Sequence, residues 1–122
     1  MNIKELAKKY DLNKDDFWEL KRGSKAVWII THDAVEKIAY QEGIIFAKPD
    51  VYRDNNKDVA LLGEANLGTR SEWTTGEASS ANCKNAYLWA MAEKRLKDRL
   101  TLKLINAYEY GIYSDIEADF KK

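Results

Sequence analysis

The feature that most constrains the fold is the segment from Asn85 to Tyr108, the longest stretch that keeps a helical pattern without Gly or Pro. It is rich in Ala, Leu, Lys, Arg, Glu and Met, which favour helices, and its apolar residues recur at three- and four-residue steps. The pattern predicts one long amphipathic helix over about 85–108. The rest of the chain must then supply a surface that covers its apolar face.

A column of cations runs along this predicted helix. Arg95, Arg99 and Lys103 are four residues apart and therefore stack on one face, and Arg99 and Lys103 have no acidic residue three or four positions away. Like charges at this spacing cost roughly 0.2–0.5 kcal/mol per pair. The column therefore predicts an anionic partner, either a phosphate or a carboxylate of another segment; a solvated face is the alternative.

Composition limits the class of protein. The net charge is zero with 33% of residues charged, so the chain is not a bulk polycation, and any anion site must come from local patterning. The length predicts a single domain over residues 1–122. Cys83 is the one cysteine, which excludes an intrachain disulfide and indicates a reducing environment. No apolar run approaches the roughly 18 residues of a membrane span, and we expect a cytoplasmic protein without membrane contact.

The first 43 residues predict short helices. Apolar spacing indicates a helix over 2–10, and Asn13 followed by two aspartates indicates a capped helical turn within 12–18. A helix over 31–43 is predicted to start at Thr31 or Asp33 and to stop at Gly43. The basic segment 21–25 is predicted to be a loop, which either binds phosphate or is an ordinary surface loop.

The middle of the chain predicts strands. Segments 44–52, 59–67 and 69–78 have strand patterns, and Pro49 in the first indicates an edge position or a bulge. Ser114 with Glu117 predicts the cap of a short final helix. The predicted fold is α+β: short N-terminal helices, then a three-stranded antiparallel sheet over about 44–78 packed against the long helix, then a short C-terminal helix.

No strong catalytic pattern is present. The chain lacks a phosphate-binding Gly-Lys-Ser/Thr loop and a Gly-x-Ser-x-Gly elbow. His32, the single histidine, is predicted to cap or pack rather than to bind metal. Asp50 and Glu64 resemble the carboxylates of a Mg²⁺-dependent nuclease, but Asn66 stands where that pattern needs lysine. We predict a protein that is not an enzyme and has no metal or cofactor.

Six blocks of sequence carry a resemblance to a known family: residues 28–35, 76–78, 90–95, 97–99, 102–104 and 111–114. They resemble a phage protein family that is similar to single-strand annealing recombinases of the Rad-fifty-two type. The resemblance implies a hairpin and a third strand before a long basic helix, assembly into a homo-oligomeric ring, and single-stranded DNA held by its phosphates in a basic groove.

The hypothesis from the sequence is therefore a single-stranded DNA-binding and annealing protein that performs no covalent chemistry. Exposed aromatic residues such as Tyr52, Tyr87 or Trp89 would stack bases, whereas Trp28 and Trp73 are expected in the core. The cations predicted to contact phosphates are Lys84, Lys94, Arg95, Lys97, Arg99 and Lys103 on the helix, and Lys21, Arg22 and Lys25 in the loop.

The alternative hypothesis is a small phage-encoded inhibitor or regulator that binds a host protein, for example a defence nuclease complex. Its motive is the short chain and its neutral net charge, with the acidic residues after the helix or the helix itself as the interaction surface.

Overall fold

The computed structural model describes residues 2–55, 57–83 and 87–117 and has an α+β fold. The helices are α1 (Ile3–Tyr10), α2 (His32–Glu42) and α3 (Leu88–Leu104), and the strands are β1 (Phe17–Arg22), β2 (Lys25–Ile30), β3 (Ile45–Phe46), β4 (Asp50–Asn55), β5 (Asp58–Leu67), β6 (Arg70–Ser79) and β7 (Ile112–Ser114). None of the helices in these ranges is both long and apolar enough to cross a membrane.

The predicted helices over 2–10 and 31–43 are confirmed. Asn2 caps α1 by accepting a 2.9 Å hydrogen bond from the backbone of Glu5. Thr31 caps α2 through a 3.2 Å hydrogen bond from the backbone of Ala34, and Gly43 ends the helix with a φ of 69°. Because L side chains rarely adopt this left-handed conformation, glycine suits the stop position.

The predicted helical turn within 12–18 is wrong beyond Asp16. A 3₁₀ turn covers Lys14–Asp16, and the backbone then becomes extended as β1. The predicted basic loop over 21–25 is also wrong, because β1 and β2 pair through a two-residue turn at Gly23 and Ser24. A two-residue Gly-Ser connection between apolar runs is a hairpin signal that the sequence does contain.

The predicted three-stranded antiparallel sheet is confirmed. The central strand β5 pairs with β6 along one side and with β3 and β4 along the other. β3 and β4 are thus two halves of one edge strand that is interrupted around Pro49, and its register shifts again between Val51 and Arg53. Proline cannot donate a hydrogen bond, which explains the break at the edge of the sheet.

The long helix packs across this sheet as predicted, but it ends earlier. α3 stops at Leu104, and Asn106 has a φ of 62°, which cannot continue a right-handed helix. The close approach of helix and sheet occurs at Gly63 and Gly76, both of which face Leu96. Residues 85 and 86 of the predicted helix lie outside the described residues.

A second sheet, which the sequence did not predict, is formed by β1, β2 and β7. β7 pairs parallel to β2, with Ile112 opposite Trp28. A second core lies under this sheet and includes Leu6, Ile30, Ile38, Leu102 and Ile112. The predicted cap at Ser114 is present, since Glu117 accepts a 2.7 Å hydrogen bond from the Ser114 backbone. Residues 115–117 form a turn, and the remainder of the predicted final helix lies outside the described residues.

Candidate functional site

The predicted column of cations packs against the free edge of β6. Arg95 and Arg99 donate hydrogen bonds of 3.0 and 2.7 Å to the carbonyl oxygens of Glu77 and Thr75, and Lys103 donates one of 3.1 Å to that of Trp73. Four residues of a helix advance about 6 Å, and two residues of a strand advance about 6.6 Å. Cations four residues apart on α3 can therefore each reach a carbonyl group two residues further along β6. The column therefore has partners in other segments of the protein and is not a solvated face.

Arg95 is the most enclosed member of the column. Its side chain is 1% exposed and also donates to the carbonyl oxygens of Asn82 and Ile116, at 2.9 and 2.6 Å. Burial of a guanidinium is favourable only when its donors are satisfied, and here backbone carbonyls of several segments satisfy them. Arg95 thus holds segments of the fold together rather than facing solvent.

Carboxylates of other segments neutralise Arg99. The nearest oxygens of Glu77 and Glu117 lie 2.9 and 3.7 Å from its guanidinium. Glu117 in turn accepts a hydrogen bond from the Tyr108 hydroxyl, and burial is the main cause that raises the pKa of Tyr108. Of the two anionic partners predicted for the column, the structure shows the carboxylate for Arg99, whereas Arg95 and Lys103 donate to backbone carbonyl oxygens.

The other predicted cations are dispersed. Lys94 is exposed on α3, and Lys97 lies 3.5 Å from Glu93 with its ammonium over the Phe46 ring. Lys21 and Lys25 are exposed beside the turn of the first hairpin, away from the column. The backbone of Arg22 lies in the same hairpin, and Lys84 lies outside the described residues.

A groove lies between the β4–β5 hairpin and the start of α3. Its volume is about 660 Å³, and it is lined by Asp54, Asn55, Val59, Tyr87, Leu88, Trp89 and Ala90. Tyr87 is 73% exposed and Trp89 is 45% exposed, which is unusual for large aromatic side chains. Two exposed aromatic side chains therefore line one concave surface.

Asp54 positions the indole of Trp89. The Trp89 Nε1 donates a 3.0 Å hydrogen bond to Asp54 Oδ1, which ties α3 to the edge of the sheet. Tyr52, two residues earlier in β4, is 67% exposed. The expectation that Tyr52 and Tyr87 are exposed agrees with the structure, and Trp89, which the sequence left open between stacking and core packing, is exposed as well. The expectation that Trp73 is buried is wrong, since it is 64% exposed.

The first turn of α3 opens toward the groove. Its first intrahelical hydrogen bond runs from Met91 N to Tyr87 O, so the N–H groups of Leu88, Trp89 and Ala90 precede the ladder. Tyr87 supplies no side-chain cap, and no acidic residue lies in the first turn. A helix start with these properties favours a negatively charged group nearby.

A buried polar cluster surrounds His32. Its Nδ1 lies 2.8 Å from Asp98 Oδ1, and Ser114 Oγ donates a 2.6 Å hydrogen bond to the other oxygen of Asp98. Glu36 lies 3.4 Å from the second ring nitrogen, and Asp115 accepts a hydrogen bond from the His32 backbone. The arrangement joins β7, α2 and α3. It does not activate a nucleophile, because the Ser114 hydroxyl donates to Asp98 and not to the His32 imidazole, which would have to act as its base.

The two candidate nuclease carboxylates do share a surface. Asp50 and Glu64 line a depression of about 250 Å³ on the sheet face away from α3, together with Lys48 and Trp73. Among residues 2–55, 57–83 and 87–117, no group of three His, Cys, Asp or Glu side chains is arranged to hold a metal ion.

The sequence interpretation missed Asp54 and Asn55 as members of the groove. Their segment has the composition of a polar turn, and only the pairing of β4 with β5 places it beside α3. No family model, curated protein or solved structure matches the chain. The fold and the site thus define an α+β protein with an open aromatic groove at the start of its longest helix.

Proposed function

We propose that this protein binds single-stranded DNA and promotes strand pairing without covalent chemistry. The observation that carries the proposal is the groove in which Tyr87 and Trp89 are exposed beside the start of α3, which the Tyr87 side chain does not cap. Aromatic faces stack unpaired bases, and the N–H groups at a helix start favour phosphate, so the groove offers a contact for each of these two parts of a single strand.

The fold supports the proposal in a second way. The resemblance to annealing recombinases implies a hairpin and a third strand ahead of a long helix, and β4, β5, β6 and α3 have this order and packing. The groups on α3 that we propose to contact phosphate differ, however, from those predicted from the sequence. Arg95, Arg99 and Lys103 stabilise the edge of β6, so Lys94, Lys97 and the start of α3 remain as the groups on this helix that can meet a phosphate.

The net charge of zero implies weak binding by one chain, because electrostatic attraction supplies most non-specific affinity for DNA. A homo-oligomer that aligns several grooves along one strand would add their affinities. We therefore include self-association in the proposal, and a measurement of mass in solution with and without oligonucleotide tests that part.

The binding test uses a labelled oligo-dT at low and moderate salt. A Trp89→Ala variant should weaken binding, because loss of one stacked base costs about 1–3 kcal/mol. Trp89→Phe should retain most of the affinity, since it keeps a ring and loses only the hydrogen bond to Asp54. Tyr110→Ala is the matched control, because Tyr110 is also 45% exposed and does not line the groove.

Two results would contradict the proposal. The first is absence of binding by the wild-type protein at low salt. The second is an equal loss of affinity in Trp89→Ala and Tyr110→Ala. Recovery of a host protein that survives nuclease treatment, combined with absence of oligonucleotide binding, would favour the alternative of a protein that regulates a host complex.

A further inference from the structure

The polar side of the groove carries hydrogen-bonding groups that single-strand binding by stacking alone does not require. Asp54 and Asn55 lie at the end of β4 and both line the groove next to Trp89. Non-specific single-strand binding needs ring faces and positive charge. A carboxylate repels phosphate, so its position beside two stacking surfaces indicates a contact with the edge of a base.

The carboxylate of Asp54 is held in place and is only partly used. Its Oδ1 accepts the hydrogen bond from Trp89 Nε1. Within the described part of the chain, its second oxygen has no hydrogen-bond partner, and an ionised carboxylate offers about four acceptor positions in all. Asp54 can therefore accept two further N–H groups that approach side by side.

The amide of Asn55 is also oriented. Its Oδ1 accepts a 3.0 Å hydrogen bond from the Lys57 backbone, which leaves the Nδ2 group as a donor. Asp54 is paired with Val59, whose buried side chain lies on the sheet face toward α3. Asn55 is the next residue of β4, so its side chain lies on the opposite face, and the acceptors that the groove presents to a base come from Asp54.

We propose that this groove prefers guanine among the bases of single-stranded DNA, with the Asp54 carboxylate accepting from N1–H and N2–H. Guanine is the one common base whose Watson–Crick edge has two adjacent donors beside an acceptor; cytosine and adenine each have one donor, and thymine has a donor between two acceptors. Reading that edge requires an unpaired base, in agreement with stacking on Tyr87 and Trp89. The inference rests on the proposed function and adds base preference to it.

The test compares labelled oligo-dT with oligomers in which isolated thymines are replaced by guanine, adenine, cytosine or hypoxanthine. Isolated positions avoid guanine quadruplexes. A bidentate contact discriminates among bases by about tenfold or more, so the guanine oligomer should bind at least that much more tightly than the adenine or cytosine oligomers. Hypoxanthine lacks the N2 amine and should fall between guanine and adenine.

Two variants and one control assign the preference to residues. Asp54→Asn should abolish the guanine preference, measured as the ratio of affinities for the guanine and adenine oligomers, and Asn55→Ala, whose side chain lies on the opposite face of β4, should retain it. Both residues are exposed, so neither change should prevent folding. Asp50→Asn is the control, because Asp50 is an exposed carboxylate in the same strand that lines a different depression.

The outcomes distinguish the guanine preference from single-strand binding itself. Equal affinity for all substituted oligomers, or a guanine preference that persists in Asp54→Asn, would overturn the inference and leave single-strand binding intact. Failure of every oligomer to bind would overturn the proposed function together with it. A guanine preference that Asp54→Asn removes and Asp50→Asn retains would support both.

Discussion

Arg99 donates a 2.7 Å hydrogen bond to the carbonyl oxygen of Thr75 on the outer edge of β6. Arg95 and Lys103 make the same contact one helical turn to either side, at Glu77 and Trp73. An unpaired strand edge exposes carbonyl groups that can template pairing with another chain. The cations of α3 thus satisfy and protect this edge, a structural explanation for a charge pattern that otherwise indicates a ligand.

The first prediction concerns Arg95. Arg95→Ala should lower the free energy of unfolding by about 3 kcal/mol or more, because it leaves several buried carbonyl oxygens without donors. Lys94→Ala is the matched control, since Lys94 is the adjacent residue and is exposed. Urea denaturation of both variants measures the difference. Equal stability of the two variants would show that the Arg95 contacts contribute little.

This prediction also changes how DNA binding should be tested by mutation. A loss of binding in Arg95→Ala would report unfolding as readily as a lost phosphate contact, because the residue is 1% exposed. Substitutions at Lys94 or Lys97 avoid that ambiguity, since both side chains are exposed. Circular dichroism of each variant should accompany any affinity measurement.

The second prediction concerns the contact between α3 and its sheet. A Cβ atom added at Gly76 would lie 2.4 Å from the backbone oxygen of Ala92, and one at Gly63 would lie 2.7 Å from a terminal methyl of Leu96. The Leu96 methyl can move aside, whereas the Ala92 oxygen belongs to the backbone of α3 and can move only if the whole helix moves. Gly76→Ala should therefore destabilise by about 3 kcal/mol or more, and Gly63→Ala by about 1–2 kcal/mol.

Thermal and urea unfolding of the two glycine variants provides the measurement. Both glycines lie in strands that face the same helix, so the pair controls for composition and location. A larger loss in Gly63→Ala than in Gly76→Ala would contradict the close backbone approach at Gly76.

The sequence could predict elements whose signals are local. The α+β class, the strands from 44 to 78 and the starts of α1 and α2 follow from periodicity and from caps at Asn2 and Thr31. The partners of Arg95 and Arg99 could not be predicted, because they lie at least 13 residues away, in β6 and in the segments that follow β6 and β7, and helix spacing reports only neighbours in the same helix.

The burial of the tryptophan side chains could also be predicted only in part from the sequence. Trp28 packs against the second core, as expected, whereas Trp73 is exposed because it lies on the sheet face away from α3. Strand periodicity shows that alternate residues share a face, but it does not show which face a helix will cover. The groove likewise depends on a tertiary pairing, between β4 and the start of α3.

The third prediction concerns Asp98, which is 1% exposed and receives hydrogen bonds of 2.8 and 2.6 Å at its two oxygens. Asp98→Ala should destabilise by about 3 kcal/mol, since it leaves His32 and Ser114 without their partner in a buried site. Asp98→Asn should cost less, because the amide oxygen can still accept one hydrogen bond. Combining each change with Ser114→Ala in a double-mutant cycle measures the coupling, and additive losses would exclude it.

The last prediction is a dependence of stability on pH that arises at His32. The hydrogen bond with Asp98 raises the pKa of His32 above its usual 6.5, although burial opposes the shift. Glu36 acts in the same direction as Asp98, and Lys94 acts against them. A histidine with a raised pKa in the folded state contributes stability that is complete below about pH 6.5 and is lost as the pH rises through the raised value.

Burial also raises the pKa of Asp98 and Asp115 above 3.8, and a raised carboxyl pKa likewise contributes stability that is lost as the pH rises through the raised value. Between pH 6 and 9 the free energy of unfolding should therefore fall, by at most about 1.4 kcal/mol per pH unit for one proton. His32→Gln should flatten this profile while retaining a polar side chain at the start of α2. Urea denaturation across the range measures both proteins, and a wild-type profile that is flat or rises with pH would contradict a protonated His32 as the contact that joins α2 to α3.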